Sequence, residues 1–471
     1  MLDNAEKIHQ LSMQIMEKTG MLFHHPDAVS ILKEHGIRME GHVAYFTEDQ
    51  LMYWIHKAPA NIDLFAEDPR YHVALGGRRS YSAPPSGSPQ ISDQTGEKRP
   101  ALAEDYVKLV KLFEANPKYR INGGIVVFPD DVPVDNACLM MYYAAYTHSD
   151  KALMTGTGNY GELEALMQMG IAAAGSREEF EARPRMLTIA NANTPLQLDH
   201  KMTETILTFG KYRQPCVIAS AAMAGTTSPV TLAGTIAMVN VEVLTSIALA
   251  QMANPGCPVI YGSQTTTADL RNGAIAIGAP EGALCYKYCT KMAKYYGLPC
   301  RGGGSLSDAK VVCAQAGYES MLTYMACRQN EMNLIVQSAG ILNGYTTVSY
   351  EKVVMDFEIM DYVDRYLADV DVNEETVPVD LIDELGREES YLLDEHTLEW
   401  CRKEPLTPKL AVRGTTAKPA VQFDENIQKE MNRLWDSYRK PARDAAVLER
   451  MKEILAQRGV DRALAERIEN L

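Results

Sequence analysis

Between Ser80 and about Gly340 the chain repeats one pattern eight times: a short apolar run ends in Gly, Ser, Thr, Asn or Pro, and a long stretch of helical spacing follows. The runs are SYSAPPSG from Ser80, INGGIVVFPD from Ile121, ALMTGTGN from Ala152 and RMLTIANANTP from Arg185. They continue with CVIASAAMAGTT from Cys216, PVIYGSQTTT from Pro258, PCRGGGSLSD from Pro299 and NLIVQSAGILNG from Asn333. Helices are predicted between and after them, over about 103–115, 136–147, 160–174, 200–212, 230–253, 281–296, 311–329 and 350–367. Strands that alternate with helices pair in parallel, because only a crossover of about a dozen residues or more returns the chain to the same edge. Eight such units in about 260 residues predict an α/β fold of the (β/α)8 TIM-barrel type, whose chemistry sits on the loops after the strands.

The flanks read differently, and three segments are expected. Residues 1–79 form a helical lead-in packed on the barrel. Ile8, Leu11, Ile15 and Met16 make one helical face, Ala28, Ile31 and Leu32 begin a second, and Thr47 caps a third helix through Trp54. Small strands are expected at 62–66 and 72–75. Residues 80–370 are the barrel, and 371–471 an acidic and helical C-terminal extension. That extension opens with VDVNEETVPVDLIDELGREESYLLDEHTLEW, continues in a charged helix over 425–439, and ends in an exposed amphipathic helix pair over 443–471.

Charge and cysteine usage narrow the function. Lys+Arg 46 against Asp+Glu 61 gives a net charge of −15. This argues against a nucleic-acid or anionic-membrane binder, whose affinity rests on clustered cations. Nine dispersed cysteines make a poor disulfide framework and point to a reducing, cytoplasmic setting. The first 20 residues carry charges at helical spacing and do not read as a signal peptide. The longest apolar stretch, from Val230 to Met252, contains Thr, Asn, Glu and Gln and reads as a buried barrel helix.

Few catalytic signatures stand out. There is no CxxC, HExxH or G-x-S-x-G motif. Cys285 and Cys289 lie four apart without a histidine partner and read as core thiols, so no metal is expected. His24-His25 lies in the lead-in, away from any barrel strand end, and reads as a cap or surface pair. The Gly302-Gly303-Gly304 run after the seventh strand suits phosphate, a large planar ligand or a plain turn. The strand ends are otherwise small, neutral and aromatic: Tyr81, Phe128, Asn191, Asn193, Tyr261, Gln264, Gln337 and Tyr345, with Arg301 and Asp308 on the seventh unit. Several aromatic faces with few carboxylates suit a quaternary ammonium, held by cation–π attraction of about 1–2 kcal/mol per desolvated ring. The other reading of each tyrosine is a core aromatic with its hydroxyl satisfied.

Five ordered blocks carry a resemblance over essentially the whole chain. They are IHQLSMQIMEKTGMLFHHPDAVSILKEHGI near the start, SGSPQISDQTGEKRPALAEDYVKLVKL from Ser86, GGGSLSDAKVVCAQAGYESMLT from Gly302, SAGILNGYTTVSYEKVVMDFE from Ser338, and DEHTLEWCRKEPLTPKL in the tail. The chain resembles the trimethylamine methyltransferase family of corrinoid-dependent enzymes. The resemblance implies a (β/α)8 barrel that moves a methyl group from an amine to the cobalt of a corrinoid (cobalamin) held by a separate, cognate corrinoid protein. The trimethylamine enzymes proper carry pyrrolysine, whereas this sequence holds standard residues only; the equivalent position falls near Ser305–Lys310. That departure implies the non-pyrrolysine branch, which demethylates quaternary amines such as glycine betaine, proline betaine or carnitine.

On this reading Tyr81, Phe128, Tyr261 and Tyr345 are expected as cage members. Arg301, or failing it Gln264 and Gln337, would hold a substrate carboxylate, since a bidentate Arg suits that group best. Gly302, Gly303 and Gly304 would leave room for the corrinoid. No catalytic acid or base is assigned, and a homo-oligomer is expected. A related enzyme for another methyl donor, and a non-catalytic betaine-binding or corrinoid-protein-sequestering barrel, stay open at this point.

Overall fold

The eight runs become the eight strands of one barrel. The computed structural model describes residues 3–387 and 389–471. The strands are β1 (Tyr81–Ser82), β2 (Ile121–Gly123), β3 (Ala152–Met154), β4 (Met186–Ala192), β5 (Cys216–Ser220), β6 (Val259–Ser263), β7 (Cys300–Gly303) and β8 (Leu334–Val336). All are parallel and ordered as in the chain from β2 to β8, and β8 returns to pair with β1. The ring is nearly closed, without a ladder between β1 and β2. Pro84 and Pro85 come one residue after β1 and have no N–H to donate, so the ladder stops there. Beyond the strands the two segments meet again: Gly87 N–H donates to Ile125 O at 2.8 Å and Phe128 N–H to Ser88 O at 2.9 Å.

A helix follows each strand: α1 (Ala103–Ala115), α2 (Ala137–His148), α3 (Tyr160–Ala174), α4 (His200–Lys211), α5 (Leu232–Ala253), α6 (Pro280–Tyr295), α7 (Ala314–Gln329) and α8 (Tyr350–Leu367). Local chemistry starts several of them. Asn159 and Glu162 form a reciprocal capping box on α3, Asp199 caps α4, and Ser349 caps α8. α5 is buried on all sides from Thr235 to Met252, and among the described residues it alone is long and apolar enough to cross a membrane. Here it is buried between β5, β6 and the lead-in helices Asn4–Lys18 and Glu48–Ile55.

The lead-in does two jobs. Its antiparallel hairpin, Ile62–Leu64 with Val73–Leu75, plugs the N-terminal end of the barrel. Ile62, Leu64, Val73 and Leu75 pack with the inward side chains Ile121, Met154, Leu187, Val217, Ile260 and Val336. Its strand Met21–Phe23 pairs in parallel with Gln197–Leu198, in the loop after β4. The histidine pair therefore does not lie away from the strand ends, as its sequence position suggested. His25 caps the helix Pro26–Glu34, and its ring lies 5.1 Å from that of His200 at the start of α4. His24 Nε2 bonds Gln197 Oε1 at 2.9 Å. A short strand pairing that crosses about 175 residues of chain leaves no local signal.

The tail is also less exposed than its charge density suggested. Helices Gln422–Ser437, Ala445–Gln457 and Arg462–Asn470 bury Ile427, Met431, Met451, Leu455 and Ile468 against α1, α2, α3 and α8. The stretch before them is different: helices Val379–Leu385 and Glu395–Trp400 bury no residue.

Candidate active site

A cavity of about 510 Å³ opens at the C-terminal ends of the strands; seven of the strand-to-helix connections line it, and β7 contributes Arg301 from the strand itself. Met154, Ile189, Met202 and Ile275 give it apolar walls. Ser86, Thr157, Asn191 and Asn193 line its β1 to β4 side, and Asp199 stands beside them. Gln264, Arg301, Gln337 and Tyr345 come from the loops or ends of β6, β7 and β8. Sequence position had singled out these last four; the apolar walls it had not, because such residues look like any core methionine or isoleucine.

Arg301 dominates the electrostatics. It is 3% exposed. Its one contact is long, 3.4 Å from Nη1 to Ser263 O, and its Nε has no partner. Burial pushes its pKa down, and its titratable neighbours are Tyr286, Tyr345, Cys289 and Cys327, which burial keeps neutral, rather than a carboxylate. An arginine stays protonated in such a site. A buried cation without a counter-ion costs several kcal/mol, which an anionic ligand would offset.

Two amide oxygens are unpartnered at the same cavity. The Gln264 Nε2–H₂ donates to Tyr286 Oη at 2.9 Å and also to Tyr345 Oη, leaving its Oε1 without a donor. Gln337 Nε2–H₂ donates to Ser86 O at 3.2 Å, and its Oε1 is likewise unpartnered. Gln337 and Tyr345 both hold left-handed backbone, with φ of +60° and +70°. Such strain in non-glycine residues persists where the surroundings impose it and clusters at ligand sites. Burial pushes the Tyr345 hydroxyl up to about 12, so it is neutral at physiological pH.

The expected aromatic cage does not assemble. Tyr345 reaches the cavity, whereas Tyr81, Phe128 and Tyr261 do not line it. Tyr81 opens β1 at the plugged end, packed against the barrel-floor cluster with Arg120 over its ring. Phe128, in the loop after β2, packs half-buried against the main hydrophobic core. Tyr261 alternates with the inward Ile260 and Gly262, so its ring points outward: its hydroxyl donates to Asn240 Oδ1 at 2.9 Å, and it stacks on Tyr296 at 6.3 Å.

The triple glycine is not an open cradle either. A Cβ on Gly302 would meet Met332 at 2.6 Å, one on Gly303 would meet Tyr286 Oη at 2.6 Å and Gln264 Nε2 at 2.7 Å, and one on Gly304 would meet Ser338 at 2.5 Å. These glycines let β7 pack closely, and none of them lines the cavity. Asp308 serves the loops, accepting Ile277 N–H at 3.1 Å and Gly278 N–H at 2.9 Å. All nine cysteines are free, and no group of three or more His, Cys, Asp or Glu side chains could hold a metal among the described residues.

A larger groove of about 740 Å³ lies outside the barrel, between the helix Pro26–Glu34 and α3 and α4. Its lining holds no unpartnered buried polar side chain, whereas the barrel cavity holds three. The unsatisfied groups make the barrel cavity the candidate binding site.

Comparisons with known proteins find relatives over most of the chain. A glycine betaine methyltransferase from Desulfitobacterium hafniense (strain Y51) is 34% identical over 460 residues, covering 97% of this chain and 96% of that protein. A proline betaine:corrinoid methyltransferase from Eubacterium limosum is 29% identical, over 90% of this chain and 88% of that protein. A trimethylamine methyltransferase from Desulfitobacterium hafniense (strain DSM 10664 / DCB-2) is 27% identical, over 92% and 88% respectively. The family model described as trimethylamine methyltransferase (MTTB) matches residues 2–462, and this chain, a (β/α)8 barrel with one polar cavity at its mouth, belongs to that family.

Proposed function

We propose that this chain transfers a methyl group from a carboxylate-bearing quaternary amine, a betaine, to the reduced cobalt of a corrinoid carried by a separate protein. The observation that carries this reading is the buried, uncompensated Arg301 facing the same cavity as the unpartnered oxygens of Gln264 and Gln337. A zwitterion with a carboxylate at one end and a methylated cation at the other matches that polarity. Arg301 can hold the carboxylate through charge-assisted hydrogen bonds. The two amide oxygens and the Tyr345 ring suit a cation that has no N–H to offer.

A quaternary nitrogen already carries its charge and departs as a neutral tertiary amine, so the chain needs no general acid. What it must do is hold the donor methyl in line with the acceptor at about 3–3.5 Å. Arg301, Gln264 and Gln337 fix the substrate from the β6 to β8 side. The apolar walls Met154, Ile189 and Ile275 keep water from the reacting carbon.

A cavity of about 510 Å³ takes a betaine but not a corrin ring with its side chains. The corrinoid is therefore a methyl acceptor presented at the mouth by its carrier, not a resident group of this chain. When presented, it supplies a strongly nucleophilic reduced metal. We place the reaction in the cytoplasm, where nine free thiols stay reduced. The expected self-association finds its support in Val372, Leu392, Leu393 and Leu398, each at least 68% exposed in the stretch after α8.

The test is single-turnover demethylation with a reduced corrinoid carrier protein and a panel of glycine betaine, proline betaine, carnitine, choline and trimethylamine. Methyl transfer from a betaine, with trimethylamine inert, is the expected result. Transfer from trimethylamine at the same rate, or betaine turnover without the carrier, would refute the proposal. Tight betaine binding without any transfer would favour a binding protein instead.

A further inference from the structure

α5 carries a single charged residue, a carboxylate in the middle of the buried helix. Glu242 is 0% exposed, and no cation is among the groups acting on it. A carboxylate so placed persists only when hydrogen bonds replace water. Three donors do this: Ser220 Oγ–H to Oε2 at 2.5 Å, Thr194 Oγ1–H to Oε2 at 3.1 Å, and Leu196 N–H to Oε1 at 2.7 Å.

The origin of those donors is informative, because all three come from the mouth of the barrel. Ser220 ends β5, and its carbonyl oxygen accepts the Gln264 N–H at 2.8 Å. Thr194 and Leu196 belong to the turn after β4, where Leu196 holds φ of +55°. That turn links two residues of the cavity: Asn193 Oδ1 accepts the Asp199 N–H at 3.0 Å, and both side chains line the cavity. From the outer side the lead-in strand grips the same turn, with Leu22 N–H on Leu196 O and His24 N–H on Leu198 O, both at 3.0 Å. Glu242 is thus the inner anchor of a segment whose outer anchor is a strand of the lead-in.

We infer that Glu242 is a positioning residue: from behind the barrel wall it locks the turn after β4 and the end of β5, and so sets the cavity rim that receives the substrate. It touches no substrate itself. Removing it frees the turn, so the rim loses its shape while the chemistry at the methyl group is unaltered. A change in KM rather than kcat is the signature.

The experiment uses the full-length chain and the variants Glu242→Leu and Glu242→Gln. Hydrogen exchange of the 193–199 segment is followed by mass spectrometry, glycine betaine affinity by calorimetry, and KM and kcat with the carrier protein. In Glu242→Leu, exchange in 193–199 should accelerate about tenfold or more over the rest of the barrel. Glycine betaine affinity should fall by a similar factor, with kcat within about threefold of the parent. Glu242→Gln keeps an acceptor for the Leu196 N–H, and hydroxyls can turn to meet an amide, so it should restore both. A folded Glu242→Leu chain with unchanged exchange in 193–199, or with freed exchange and unchanged KM, would overturn the inference. Should that variant not fold, Thr194→Val with Ser220→Ala removes two donors and must loosen the same segment; no loosening overturns it as well. The affinity measurement rests on the betaine reading, whereas the exchange measurement does not. A parent chain that ignores glycine betaine while Glu242→Leu still loosens 193–199 therefore refutes only the betaine reading.

Discussion

Replacing Arg301 with methionine removes a charge that the free protein buries at a cost and that the bound state needs. The side chain is 3% exposed, its Nε is unpartnered, and its one contact is 3.4 Å long. Exchanging buried charges for apolar side chains of similar volume is often neutral or stabilising by about 1–4 kcal/mol, and here no partner carboxylate would be stranded. Arg301→Met should therefore stabilise the ligand-free chain by about 1–3 kcal/mol in urea denaturation. The same change removes charge-assisted hydrogen bonds to a substrate carboxylate, each worth about 1.5–3 kcal/mol. Calorimetry should then show glycine betaine binding weakened by about 10- to 150-fold, with choline, which has no carboxylate, nearly unaffected. Arg301→Lys should recover little, because an ammonium is a point charge without the planar fork. A destabilised Arg301→Met chain, or equal losses for glycine betaine and choline, would refute the reasoning.

Tyr261→Phe should cost about 0.5–1.5 kcal/mol of stability through the lost bond to Asn240, measured by denaturation, while glycine betaine affinity stays at the parental value. Gly303→Ala would set a methyl group 2.6 Å from Tyr286 Oη and 2.7 Å from Gln264 Nε2; overpacking of about 1–3 kcal/mol should displace Gln264 and raise KM. His148 ties the tail to α2, bonding Tyr438 Oη at 3.0 Å and Ile468 O at 2.9 Å, and burial lowers its pKa to about 4. The unfolded chain, with histidine near 6.5, binds more protons between those values. Stability is therefore full above about pH 6.5 and declines as pH falls toward 4, by roughly 3 kcal/mol from this residue. Denaturation curves at pH 7.5, 5.5 and 4.5 should show that slope, and His148→Gln should flatten it.

The barrel was legible because its signal is local and repeated. Each helix shows its own 3.6-residue period or apolar run, each strand its polar end, and the right-handed crossover leaves one way to join them. Observed helices such as Ala103–Ala115 and Tyr160–Ala174 coincide with the predicted ranges. The orientation of side chains within a strand was not legible. Barrel strands are buried on both faces and lack the alternation of a half-exposed sheet, so nothing in PVIYGSQTTT tells that Ile260 points in and Tyr261 out. Tyr261 stays out of the cavity for that reason.

Sequence alone thus determined the number, order and parallel sense of the barrel's strands and helices, and it placed Gln264, Arg301, Gln337 and Tyr345 at run ends where the cavity forms. Tertiary structure decided the rest. It turned Tyr81 toward the plugged end and closed the triple glycine against Met332, Gln264 and Ser338. It also brought Leu22 to Gln197 and Glu242 to Leu196. The division has one physical cause. Periodicity and turn chemistry act over a few residues and are written consecutively, whereas burial without a partner, close approach and pairing across long separations exist only once the chain has closed on itself.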